Sequence, residues 1–189
     1  MTSFLGIGFV YKQNSVDEIK AALEKLLSYM AITETIYITY YKKGSKHQLV
    51  KYATTYDFIL DSTYIDLANG HDVQLFFFAD LGDSIDREVE VEIVKKDGGF
   101  ALFLKVNVEE EGENNLMQLE RYVPFMKNFY VFFPYHYCVC DEGIESEYLF
   151  SEIEQVGDDV YAITITPIRN GLSPFLHVNK KAAVSTEYH

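Results

Sequence analysis

Hydrophobic positions alternate in some stretches and recur at helical spacing in others, and the switches between the two mark out the elements. Residues Ser3 to Tyr11 are rich in β-formers and predict a first strand. A helix follows: Ser15 can cap it, Glu18 three residues on completes a capping box, and Ile19, Leu23, Leu26, Leu27 and Met30 fall on one face. Strands are expected over about Ile32 to Lys42 and His47 to Ala53, with the turn chemistry of KGSK between them. Thr55 to Ala68 has a weaker helical pattern that stops at Asn69-Gly70, and Asp72 to Ala79 is a largely apolar strand.

Arg87 to Lys96 and Phe100 to Val108 give the clearest hairpin. With Asp97-Gly98 as a type I′ turn, Ile93 faces Leu102, Val91 faces Leu104 and Val89 faces Val106. The same register sets Glu90 against Lys105 on the outer face, so apolar and charged pairs agree. Asn114 to Phe133 is the second substantial helix, and Pro124 within it predicts a kink or two abutting helices. Tyr135 to Cys140 and Val160 to Pro167 are the last strands.

Tight turns join some neighbouring strands, which favours antiparallel pairing over repeated crossover units. The expected fold class is α+β, a mostly antiparallel sheet with two main helices packed on one face. No repeat or linker interrupts the chain, so residues 1–189 are expected to form a single domain, with 168–189 possible as a less regular C-terminal tail.

Composition narrows the function. The 189 residues carry 29 acidic against 16 Lys and Arg side chains, a formal charge of −13. That balance argues against general nucleic-acid binding, which needs a basic face. Met1 to Val10 lacks the charged start of a secretory signal, and no apolar run approaches the roughly 18 residues of a membrane span. With only Cys138 and Cys140, too close in a strand to pair easily, a reduced cytoplasmic protein is expected.

The charge is segregated. Residues 80–168 hold 20 acids and 6 bases, whereas residues 1–79 are nearly balanced at 8 and 7. From Asn128 to Ile168 there is no Lys or Arg, but there are Asp141, Glu142, Glu145, Glu147, Glu152, Glu154, Asp158 and Asp159. A solvated surface would account for any one pair. A 41-residue stretch free of bases asks for more, and an electronegative face that captures a basic partner supplies it. Tyr148 lies among these carboxylates and is a candidate interface anchor.

Other chemistry is thin. His136, Cys138 and Cys140 alternate along a strand and could begin a metal site or a cysteine nucleophile, yet no CxxC pair accompanies them. Buried structural cysteines are the commoner outcome of such a pattern. Gly6 and Gly8 begin a GxGxxG, but Tyr11 holds the third position, so close packing explains them better than a dinucleotide. The basic cluster Lys42, Lys43, Lys46, His47 and Lys51 sits around a turn, where lysines are ordinarily solvated. No catalytic residue, metal or cofactor is expected, and the chain reads as not an enzyme.

The opening GIGFVY with its capped helix, the YITYY strand, TTYDFILDSTY, and the late YHYCVCDEGIESEY and VYAITITP resemble a bacterial polymorphic-toxin immunity protein. The resemblance runs over most of residues 4–167 and implies a small acidic cytoplasmic protein that binds and inhibits a cognate toxin domain. The acidic stretch around Asp141, Glu142, Glu145 and Glu147 is the part it implies to be functional. Many secreted antibacterial toxins are nucleases with basic clefts, which an acidic inhibitor can fill by mimicking phosphate charge. Two alternatives stay open at this point: an intracellular scaffold or regulatory binding module, and a small enzyme or metal protein using the His136, Cys138 and Cys140 face.

Overall fold

The computed structural model describes residues 3–12, 15–32, 36–41, 49–54, 72–82, 84–96, 98–108, 119–144, 161–170 and 173–180. Its strands are β1 (Ser3–Tyr11), β2 (Ala31–Ile32), β3 (Ile36–Tyr41), β4 (Leu49–Thr54), β5 (Asp72–Asp80), β6 (Asp86–Lys96), β7 (Gly99–Val108), β8 (Tyr137–Glu142), β9 (Ile163–Asn170) and β10 (Ser173–Lys180). Two helices lie wholly within the described residues, α1 (Val16–Tyr29) and α2 (Val123–Phe132).

All ten strands belong to one sheet, in the order β10-β9-β8-β1-β7-β6-β5-β3-β4, with β2 beside one end of β5. Every pairing is antiparallel. The expected hairpin register holds: Val89 pairs with Val106, Glu90 with Lys105, Val91 with Leu104 and Ile93 with Leu102. Gly98 occupies the turn at φ +86°, a conformation that glycine adopts without steric cost.

Alternation along each strand divides the sheet into two faces. Leu5, Ile7 and Phe9, Val73 and Leu75, Val89 and Val91, Leu104 and Val106, Cys138 and Cys140, and Ile163 and Ile165 point to the helical side and form the main core. Helix α1 closes that core with Ile19, Ala22, Leu23, Leu26 and Leu27. Its capping box is made as the sequence predicts, the Ser15 hydroxyl accepting from the Glu18 amide while the Glu18 carboxylate accepts from the Ser15 amide. Helix α2 adds Phe125, Met126 and Phe129, and Phe9 lies 4.8 Å from Phe129, ring to ring. Both helices therefore cover one face, giving the α+β arrangement expected.

At Pro124 the structure takes the second of the two expected forms, abutting helices: residues 119–120 are helical, 121–122 form a turn tied by Tyr122 N–H to Leu119 O at 3.1 Å, and Pro124 lies in the first turn of α2, where its missing N–H and fixed φ suit a helix start. One stretch differs from the sequence expectation: Ser173–Lys180, assigned no element from the sequence, is the edge strand β10. Leu176 and Val178 pack against the main core from there, and Lys180 reaches Glu120 at 2.8 Å. The KGSK turn, the expected Thr55 to Ala68 helix and the first residues of the expected Asn114 helix lie outside the described residues.

Candidate functional site

The sheet face opposite the helices carries the polar chemistry. Over the interior strands β8, β1 and β7 a smaller apolar cluster forms from Val10, Ala101, Phe103, Tyr137, Val139, Ile144 and Tyr161. Gly6 makes this possible. A Cβ there would overlap the Ile144 Cγ2 methyl and come within 2.9 Å of the Phe103 ring, so the side chain of Ile144 occupies the space that glycine leaves. Gly143, at φ +66°, turns the chain into that position and donates its N–H to Phe4 O at 3.1 Å.

The acidic stretch begins at this point. Asp141 ends up stitched into the backbone: one carboxylate oxygen accepts the Glu142 amide at 2.7 Å and the other the Ala162 amide at 3.0 Å. It thereby ties β8 to the chain just before β9, and Glu142 beside it is exposed. The other candidates, Glu145, Glu147, Tyr148, Glu152, Glu154, Asp158 and Asp159, lie outside the described residues.

A second acidic group, not singled out as a site from the sequence, stands on the same outer face. Glu88, Glu90 and Glu92 alternate along β6 with the buried Val89, Val91 and Ile93. Lys105 on β7 is shared by Glu90 at 3.6 Å and Glu92 at 3.7 Å. Glu88 accepts from Asn107 at 3.4 Å. Burial pushes the Glu90 carboxyl above its ordinary range, Lys105 lowers it, and Glu92 and Glu88 raise it again. The strict alternation of VEVEI was the sequence signal for this row.

Registers place the two groups in one line across the sheet. Asp141 on β8 is opposite Gly6 on β1, Gly6 is opposite Lys105 on β7, and Lys105 is opposite Glu90 on β6. With strands about 4.8 Å apart, Asp141 and Glu90 are roughly 14 Å apart across three strand steps.

The His136, Cys138 and Cys140 set does not converge. Both cysteines face the main core, fully buried and unpaired with each other, while His136 is exposed just before β8. Burial pushes both thiols up; Cys140 raises Cys138 further, and Asp141 raises Cys140. Thiols held neutral in an apolar core are poor nucleophiles and poor metal ligands. No group of three or more His, Cys, Asp or Glu side chains suited to a metal ion occurs among the described residues. Nor is any helix among them long and apolar enough to cross a membrane. Of the basic cluster, Lys42, Lys43, Lys46 and His47 lie outside the described residues, and Lys51 lies on β4.

A search of curated proteins finds no match. A crystal structure of the toxic C-terminal tip of CdiA from Pseudomonas aeruginosa in complex with immune protein contains a distantly similar chain. The alignment covers 75% of this chain and 86% of that one, at 12% identity and a TM-score of 0.47. The model of the immunity protein 64 family matches residues 1–182. This chain belongs to the immunity protein 64 family, and as an immunity protein it binds and neutralises a cognate toxin domain.

Proposed function

We propose that the chain neutralises its toxin in the cytoplasm without chemistry of its own, by seating an acidic surface in a basic cleft. The region from Asp141 to Asp159 supplies that surface, with Glu142, Glu145, Glu147, Glu152, Glu154 and Asp158 as charges and Tyr148 as an aromatic anchor. Asp141 serves as the root, its carboxylate committed to backbone amides. A nuclease domain is the toxin chemistry that fits best, because its phosphate-binding cleft is the complement of clustered carboxylates.

One observation carries this reading: eight acids and no Lys or Arg occur between Asn128 and Ile168. Like charges held together destabilise the free protein, and a cationic partner removes the repulsion. Opposite charges also steer encounter, so association should be fast and should slow as salt shortens the screening length to about 8 to 10 Å.

The test is co-expression of the chain with the toxin encoded beside its gene, scoring survival. The Glu145→Lys, Glu147→Lys double variant should remain folded but associate more slowly and protect less. If the reversed protein binds as fast as the original at low salt, the acidic-surface mechanism is wrong.

A further inference from the structure

The strands are not joined over equal lengths. β1 pairs with β7 from Ser3 to Tyr11 and with β8 from Leu5 to Val10. β9 and β10 pair along their whole length, from Ile163 with Lys180 to Asn170 with Ser173. Between these two parts the ladder is short: Cys138 meets Ile165, Val139 meets Thr164 and Cys140 meets Ile163. It is the shortest seam between neighbours in the strand order from β10 to β4. Burial ends with it, since Ile163, Thr164 and Ile165 are buried whereas Thr166, Pro167 and Ile168 are half-buried. Side chains add ties across the same line. Asp141 accepts the Ala162 amide at 3.0 Å, one residue before β9, and Lys180 reaches Glu120 at 2.8 Å. The two side chains of that ion pair are 44% and 41% exposed, and ion pairs so open to water hold weakly.

We infer that the seam between β8 and β9 is a breaking line built into the fold: β9 and β10 leave the sheet together, at lower free energy than the inner strands separate, making β8 the edge and releasing the Ala162 end of the stretch that begins at Asp141. The two strands leave as one because a two-stranded ribbon is at best marginally stable in water, so once off β8 it melts as a unit. The inner strands cannot follow at the same cost. β1 and β7 are paired on both sides and carry Ile7, Phe9, Leu102 and Leu104 in the main core, so opening them amounts to global unfolding. Because Asp141 grips the amide beside β9, the state of the hairpin and the anchoring of the stretch after Glu142 change together. This device belongs to the free protein and does not depend on the charge mechanism proposed above.

Native-state hydrogen exchange of the full chain, followed by NMR at rising urea below the unfolding midpoint, tests it. The hydrogen-bonded amides of β9 and β10 should exchange at least tenfold faster than the slowest amides of β1 and β7. They should also share one urea dependence, shallower than that of global unfolding because less surface is exposed. Exchange of β9 and β10 at the rate and urea dependence of β1 overturns the inference, since the hairpin then has no opening of its own. So does exchange without urea dependence, which means residue-by-residue fraying. Lys180→Ala should speed β9 and β10 about two- to fivefold, the range an exposed ion pair gives, and Asp141→Ala should speed the same amides. Both should leave β1 and β7 as in the wild type. Acceleration spread equally over all four strands overturns the inference.

Discussion

Replacing Gly6 by alanine tests how the smaller apolar cluster is built. The added methyl would overlap Ile144 Cγ2 and lie 2.9 Å from two atoms of the Phe103 ring. Phe103 is fully buried in the centre of the sheet and has little room to retreat. Ile144 is 7% exposed and follows Gly143, so it is the group that yields. Overpacking of this kind costs about 1 to 3 kcal/mol. For a chain of this length that lowers the melting temperature by about 2 to 4 °C per kcal/mol. Urea unfolding should show a lower midpoint at an unchanged slope, as expected when stability changes and the exposed area does not. The decisive comparison is a double-mutant cycle with Ile144→Ala. Removing the obstructing methyl should make Gly6→Ala cheaper in that background, with a coupling of about 0.5 kcal/mol or more. A Gly6→Ala protein as stable as wild type, or one with the same loss in both backgrounds, would refute the packing argument.

Further outcomes follow from the buried thiols and phenols. Cys138 and Cys140 should resist a thiol reagent until the protein unfolds; with ordinary values of 9.0 and folded values pushed up by burial, the unfolded chain loses these protons first. Stability should therefore fall as pH rises above about 9, less steeply in a Cys138→Ala, Cys140→Ala variant. Tyr135→Phe should cost about 1 kcal/mol in urea unfolding because it deletes the 3.0 Å bond to Met126 O, whereas Tyr11→Phe should cost nothing, its buried hydroxyl having no hydrogen-bond partner among the described residues.

Local chemistry was readable in the chain, and distant chemistry was not. The Ser15 to Glu18 capping box and the β6-β7 register depend on residues close in sequence, and both are made as expected. Strand order depends on long-range pairing, which periodicity does not encode. Nothing in SFLGIGFVY says that β1 lies between β7 and β8. Strand β10 was missed because Pro174 and the polar Ser173, His177 and Asn179 blur its alternation, and an edge strand needs only one paired side. At the candidate site, the charge excess was legible from composition. The role of Asp141 was not, because the Ala162 amide it binds lies 21 residues away. The glutamate row on β6 was visible as an outer face, but its alignment with Asp141 emerges only once β1 is placed between them.

The central position of β1 has a consequence for synthesis. Its two neighbours end at Val108 and Glu142, so the ribosome releases β1 long before either flank exists. Until then a strand carrying Phe4, Leu5, Ile7, Phe9 and Val10 has both hydrogen-bonding edges open. Non-local pairing of this kind slows folding and leaves apolar segments exposed to wrong partners in the interval. For a protein whose task is protection, the relevant delay is therefore the time to complete the sheet's middle.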